Sequence, residues 1–272
     1  MEQRLSLREV QLAELNILDN AAHFLDAHGI RYVLAYGTLI GAIRHNGFIP
    51  WDDDIDIFIP RDDYEKLKQI VKNGEQISDD IKFLLPGDKG YKYPFIKAVD
   101  LSYNLYDTNN YVNGYEEHLW VDIFPLNNVS DNHNRFLKDH KVLRLLAKIT
   151  QYDVTKIDVI HVCSTILQIM AKTLAFFMGG YSKAAVYADR ISYRMHQKYK
   201  NSKHLGDGAW GGNKNYFPVQ HLDRIVKHAF EDKEFCIPEE YDAMLRITYG
   251  DYMQIPPVEK RQSHFIEVYR HD

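Results

Sequence analysis

Apolar positions along the chain change period several times, and each change predicts an element. Leu12, Leu15, Leu18 and Leu25, with Ala21 and Ala22, form one helical stripe, and Ser6 and Glu9 stand at capping-box spacing before it. Gly29 is placed to end that helix, and "IRYVLAYG" then reads as a buried strand. "TLIGAIRHNG" reads as a short helix and loop, "DIDIFIP" as a strand stopped by Pro60, and "RDDYEKLKQIVKNG" as a helix ending at Gly74. Strand-like runs follow in "IKFLL", "PFIKAV" and "LWVDIFPL". Beyond them 133–150, 157–178 and 183–200 carry helical periods, "GDGAWGGNKNYFP" is a glycine-rich loop, and "PEEYDAMLRITYG" is a further helix. The pattern predicts an α+β fold: a mixed sheet in the N-terminal half and a mainly helical C-terminal half, divided near residue 130.

The segment 157–178 has the most apolar composition of the chain. Asp158, His161, Gln168 and Lys172 interrupt it, which makes a poor membrane span. At roughly 100° per residue these groups share one side with Ser164 and Thr165, leaving a wide face of Leu167, Met170, Leu174, Phe177 and Met178. That pattern suits a core helix first, and as the alternative a helix lying in a membrane surface.

Composition narrows the class. With 272 residues, 45% hydrophobic and 26% charged, the chain has the make-up of a globular protein with a sizeable core. A net charge of −5 argues against a nucleic-acid partner, which calls for a basic surface. Cys163 and Cys236 belong to no ligand pattern or disulfide framework, and the first residues carry no apolar signal segment, so the expected location is the cytoplasm.

Charge within "GFIPWDDDIDIFIP" changes the picture most. Asp52, Asp53, Asp54 and Asp56 crowd the mouth of a strand whose Ile55, Ile57 and Ile59 face the core. Strand period two puts Asp54 and Asp56 on one face, with Cα atoms roughly 6–7 Å apart, and turns Asp53 away to cap or orient the loop. Two carboxylates so placed repel unless a cation intervenes, and a hard divalent ion bridging to substrate phosphates removes the conflict. An EF-hand is excluded, because Ile57 stands where its glycine is required and Asp63 where its last glutamate is. Gly37 and Thr38 open a helix after a strand, where backbone N–H groups meet an anion. Asp122 lies in an apolar run, costly for an acid without a partner or metal. Together these parts suit a metal-dependent phosphoryl- or nucleotidyl-type transfer.

"YGTLIGAIRHNGFIPWDDDIDIFIPRDDYEKL" resembles the signature of the LicD family of phosphocholine transferases, relatives of the fukutin-type ribitol-phosphate transferases. "VDIFPL" and "YGDYMQIPPVEKRQSH" (249–264) resemble two further blocks of that family. The resemblance implies a nucleotidyltransferase-like catalytic core over 1–130, with the mainly helical 131–272 completing the site. It implies transfer of phosphocholine, or a similar phosphorylated alcohol, from a CDP-linked donor such as CDP-choline to a sugar hydroxyl of a cell-surface glycan precursor. By the same resemblance Gly37 and Thr38 meet donor phosphate, and Asp54, Asp56 and Asp122 hold Mg²⁺ (or Mn²⁺). Asp122 serves as third ligand or as general base.

Weaker candidates surround these. Arg44 and His45 sit in the insert before the acids, where Arg44 either clamps a donor phosphate or interacts with the helix dipole. Lys97 is a phosphate candidate or a snorkelling surface lysine. His264 is weaker still. A quaternary ammonium calls for an aromatic cage, for which Tyr111, Tyr115, Trp120, Trp210 and Tyr216 are available. A lipid-linked acceptor would bring peripheral membrane contact through 157–178. Two other functions remain open at this level: a D-x-D glycosyltransferase using a nucleotide-sugar, and a metal- or glycan-binding module without catalysis.

Overall fold

Ser6 starts the first helix as its spacing predicts. Its hydroxyl accepts from Glu9 N while the Glu9 carboxylate accepts from Ser6 N at 2.7 Å, so two N–H groups at the helix start are satisfied reciprocally. The computed structural model describes residues 3–106, 117–151, 179–207, 213–261 and 267–270, with Thr173 and Phe177. Helix α1 spans Leu7–Ala27, and Gly29, at φ +61°, turns the chain out of it. Its buried face differs from the leucine stripe. Leu15, Leu18, Ala21, Ala22 and Leu25 are inside, but Leu12 is 48% exposed, while Val10, Gln11, Ala13, Glu14 and Ile17 are buried. The reason is angular: Leu12 projects roughly 150° from the centre of the face carrying Ile17, Leu18, Ala21 and Leu25. Two polar residues, Gln11 and Glu14, thus ride inward on the face that meets the sheet.

The first strand predicted is short. β2, Val33–Leu34, leads directly into α2, Tyr36–His45, and β3, Asp56–Pro60, passes into α3, Arg61–Lys72. β4, Ile81–Leu84, β5, Ile96–Tyr106, and β6, Glu117–Val129, follow. Two-residue β1, Gln3–Arg4, and β11, Glu267–Arg270, complete a sheet of order β1-β11-β5-β6-β3-β2, with β4 beside β5. β3 runs parallel to β6 and the other neighbours are antiparallel, so the sheet is mixed. Ile55, Ile57, Ile59, Ile96, Val121 and Ile123 lie at its centre with essentially no exposure.

After residue 130 helices dominate: α4, His133–Gln151, α5, Tyr181–Lys198, and α6, Tyr241–Tyr249. Among them lie short β7, His204–Gly206, which extends the sheet along the end of β6, and β8, Phe217–Pro218. A separate hairpin, β9, Ile225–Phe230, and β10, Lys233–Pro238, turns at Glu231 with φ +57°. That turn docks on the N-terminal half, since Glu231 accepts from Arg8 and from Phe48 N at 3.2 Å, and Glu231 N donates to Asn46 O at 2.7 Å. The architecture is α+β, a mixed sheet flanked by helices with a mainly helical C-terminal half. Among the described residues no helix is long and apolar enough to cross a membrane, and 157–178 lies outside them apart from Thr173 and Phe177.

α2 turns back on its own loop at Gly41. A Cβ there would stand 2.4 Å from Gly47 O and 3.3 Å from Ile49 N, both backbone atoms with little room to yield. Gly41→Ala is expected to destabilise the fold by about 1–3 kcal/mol, the range for overpacking a filled interior, read as a lower urea midpoint at unchanged slope.

Candidate active site

Three adjacent strands bring the charged residues together. Parallel pairing sets Asp56 opposite Asp122, and antiparallel pairing sets Asp122 opposite Lys97, so acid, acid and lysine form one row across β3, β6 and β5. The row is deep: Asp56 is 8% and Lys97 5% exposed. Lys97 Nζ stands 3.1 Å from Asp122 Oδ1, 3.6 Å from the centre of the Trp120 ring and 4.3 Å from that of Tyr93. The lysine therefore does not snorkel to the surface; opposite charge and two aromatic faces hold its ammonium inside.

The Thr38 side chain is engaged with the acid strand. Its Oγ1 accepts from Asp56 N at 2.8 Å, and Asp56 O accepts from Ala35 N at 2.9 Å, so the start of α2 fixes the backbone of the central acid on both sides. Gly37 serves a related purpose. A Cβ on it would lie 2.7 Å from Asp52 Oδ2, so the glycine lets this carboxylate approach the first turn of α2, where an anion is favoured. Gln11 of α1 supports the same loop, donating to Asp52 O at 2.9 Å.

Electrostatics at the cluster are those of crowded like charge. Burial, and after it Asp54, Asp122 and Asp52, push the Asp56 carboxyl well above the usual carboxylate range, with Lys97 pulling the other way. Asp54 lies just before β3, two residues from Asp56, and adds its charge to the cluster. Asp53 is 6% exposed and borders a cavity with Glu14 and Trp120. Among the described residues no group of three acids, histidines or cysteines is drawn tightly enough to hold a metal ion by itself. The donors are nevertheless all hard carboxylate oxygens beside a buried acid whose charge lacks compensation. Mg²⁺ characteristically takes only one or two protein carboxylates and completes its shell with phosphate and water, so the set fits that class of ion.

Arg44 and His45 stand apart from this cluster. They close α2 at its C-terminal end, seven residues beyond Gly37 and roughly 10 Å along the axis. Arg44 donates to Tyr252 O at 2.6 Å and to His45 Nε2 at 2.9 Å, so its fork ties the helix end to the 252–254 loop. Of the aromatic candidates, Tyr216 stacks on His204 at 4.1 Å and its hydroxyl reaches Asp131 O at 2.9 Å. Tyr111, Tyr115, Trp210 and His264 lie outside the described residues.

Sequence reasoning missed a second polar group beside the acids. The Tyr36 hydroxyl donates to Asp207, Asn215 Nδ2 donates to Asp207 Oδ2 at 3.2 Å, and Thr248 Oγ1 donates to Asn215 Oδ1 at 2.9 Å. Tyr36 sits at φ +45°, a strained setting for a non-glycine residue, with its ring edge-on to Phe58 and Phe124. Burial, then Asp207 and Asp56, hold the Tyr36 phenol protonated far above its ordinary range. The neighbouring Tyr249 phenol is pushed up by burial and by Asp56, Asp52, Asp54 and Asp207. Signals for this group existed: Asp207 is flanked by glycines in "GDG", and Tyr249 opens the block at 249–264.

Comparison with known proteins covers the same segments. Residues 29–152, which contain α2, β3, β5 and β6, match the family described as LicD/FKTN/FKRP, nucleotidyltransferase domain. The chain is 28% identical over 274 aligned residues to the lipopolysaccharide cholinephosphotransferase LicD of Haemophilus influenzae, covering 97% of each chain. A 101-residue stretch is 34% identical to the mouse ribitol 5-phosphate transferase FKRP, covering 37% of this chain and 18% of that protein. A Rickettsia prowazekii protein, RP689, is 28% identical over 124 residues, covering 42% of this chain and 45% of its own length. Residues 29–152 thus carry the match to the LicD family's domain, and the likeness to a LicD cholinephosphotransferase runs from end to end of both chains.

Proposed function

We propose that this chain transfers a phosphorylated alcohol, phosphocholine in the first place, from a CDP-linked donor to a hydroxyl of a cell-surface glycan such as lipopolysaccharide. The observation that carries the reading is the in-register row Asp56–Asp122–Lys97, a buried acid pair with a cation at one end. Its support from outside the structure is the match along 97% of both chains to a cholinephosphotransferase. A nucleotide-sugar glycosyltransferase leaves that match unexplained.

In this reading the acceptor oxygen attacks the phosphorus bearing the alcohol, a new P–O bond forms, and the bond to CMP breaks. The hydroxyl proton passes to a carboxylate of the cluster. Thr38 and Ala35 fix the backbone of Asp56 so that its side chain holds one position. Lys97 orients Asp122 and offsets part of the charge that two acids and a diphosphate bring together. Asp54, Asp56 and Asp122 would hold Mg²⁺ or Mn²⁺, which when bound supplies Lewis-acid neutralisation of the diphosphate. Tyr36 and Tyr249, kept protonated, are hydrogen-bond donors at the border of the acids.

The test is nucleotide release. Incubated with CDP-choline, Mg²⁺ and a lipopolysaccharide acceptor, the protein is expected to liberate CMP in step with acceptor modification, and to stop when EDTA is added. UDP from UDP-sugars, or no nucleotide from either donor, would overturn the reading.

A further inference from the structure

α4 and α5 pack side by side against the sheet, with Leu143 and Ala147 of α4, Ala188 and Asp189 of α5 and Phe124 of β6 around one small cavity between them. The Tyr199 hydroxyl, just past α5, donates to Asp139 Oδ2 of α4 at 2.8 Å and pins the pair. At roughly 100° per residue, the side chains opposite the buried ones project away from the sheet. On α4 these are Lys138, Lys141, Leu145 and Lys148; on α5 they are Lys183, Tyr187, Arg190 and Arg194. Every one of them is exposed.

Charge on this face is one-sided. The two helices hold nine of the chain's 33 Lys and Arg residues and two of its 38 Asp and Glu. Both acids, Asp139 and Asp189, turn inward and are buried. Elsewhere on the surface cations meet acids: Arg224 pairs with Glu239 at 3.0 Å, and Lys227 with Asp26 and Lys233 with Asp19, each at 3.1 Å. Among the described residues Lys138, Lys141 and Lys148 of α4 form no ion pair, and neither do Lys183, Arg190 and Arg194 of α5. Apolar surface runs through the same cations, since Leu145 is 61% exposed, Val142 48% and Tyr187 46%. Basic side chains interleaved with aliphatic and aromatic ones suit a helix resting on lipid, with charge at the headgroups and apolar groups in the acyl boundary.

We propose that the outer face of α4 and α5 docks on an anionic phospholipid surface. The chain as a whole carries −5, so an acidic lipid surface repels it except where this face is presented. Charge therefore sets orientation as well as attachment. Each unpaired Lys or Arg brought within a Debye length of the headgroups adds to the attraction. A soluble polyanion would satisfy the cations but leave Leu145 and Tyr187 in water, which is why the lipid surface fits better. The contact is carried by helices that flank 157–178 in sequence and does not depend on the conformation of that segment. Nor does it depend on the chemistry assigned to the acid row.

Co-sedimentation of the full chain with vesicles, without donor or acceptor, tests this. The wild type should bind vesicles of phosphatidylglycerol and phosphatidylcholine in equal parts and leave pure phosphatidylcholine vesicles bare. Lys141→Gln, Lys148→Gln and Arg190→Gln together should weaken that binding by at least about tenfold, since each cation near the surface contributes severalfold. The same charge removed around the β9–β10 hairpin, by Arg224→Gln, Lys227→Gln and Lys233→Gln, should change it by less than about twofold, because those cations are already paired. Leu145→Ser should weaken binding while leaving its salt dependence in place. All the altered side chains are exposed, so wild-type ellipticity is expected throughout. No binding by the wild type, equal binding to both kinds of vesicle, equal loss in the two triple variants, or retention on heparin without binding to vesicles would overturn the proposal. The comparison of the two vesicles with wild-type protein stands even should a variant fail to fold.

Discussion

Asp56→Ala is expected to lower CMP release by at least about 10³-fold, the scale on which electrostatic stabilisation of a reacting group is lost. Asp56 is the residue where every structural thread of the site meets. Its N–H is held by Thr38, its carbonyl by Ala35, and its neighbour in register is Asp122. Losing its carboxylate should not unfold the chain. The acid is destabilised by burial and by three like charges, so an uncharged residue relieves repulsion at neutral pH. The variant's thermal midpoint should equal or exceed that of the wild type. Mg²⁺ should raise the midpoint of the wild type by mass action and leave that of Asp56→Ala in place. Retained turnover in a folded variant would remove Asp56 from the mechanism, and a Mg²⁺ response in both proteins would place the ion elsewhere.

The largest stability effect should come from a residue away from the chemistry. Arg61, the first residue of α3, is 1% exposed and joins α3 to α5: it reaches Asp189 Oδ1 and Glu65 Oε1, each at 2.6 Å. Lys68 closes the network on Asp189 Oδ2 at 2.6 Å. The guanidinium plane lies between the rings of Tyr64 and Tyr193, 5.1 and 5.2 Å from their centres. Arg61→Leu leaves Asp189 buried with one cation fewer and should cost about 3–5 kcal/mol, the range for breaking a buried ion pair from one side. Urea denaturation reads this directly. Adding Asp189→Leu should recover part of the loss, because the orphaned acid is then gone; an additive double variant would mean that the two residues do not act as a pair.

Much of the N-terminal half was legible because its signals are local. The capping box at Ser6 and Glu9, the stop at Pro60, and alternation through "DIDIFIP" each depend on residues within one element. The acid row was legible for the same reason, as two strands each carried an acid among isoleucines and valines. Leu12 was misplaced because four leucines outweigh two polar residues in a periodicity argument, although Gln11 and Glu14 are the ones that face inward. The partner of Lys97 could not be read either, since strand register across β5 and β6 is set by the whole sheet. The β9–β10 hairpin was missed because its turn, Glu231–Asp232, lacks the Asn-Gly or Asp-Gly pair that announces such turns. Tyr36, Asp207, Asn215 and Thr248 are brought together from three distant segments, a convergence with no trace in spacing.

The seam between β1 and β11 joins Gln3 to Arg270, almost the full span of the chain. Contacts of such separation carry the greatest loop-closure entropy and tend to be slow to form. A nascent chain can thus complete the parallel β3–β6 pairing, and with it the acid row, well before the strand bearing Glu267 has been synthesised. The wall beside Glu14 is then the last masonry laid, so refolding followed by tryptophan emission should lag behind recovery of backbone ellipticity.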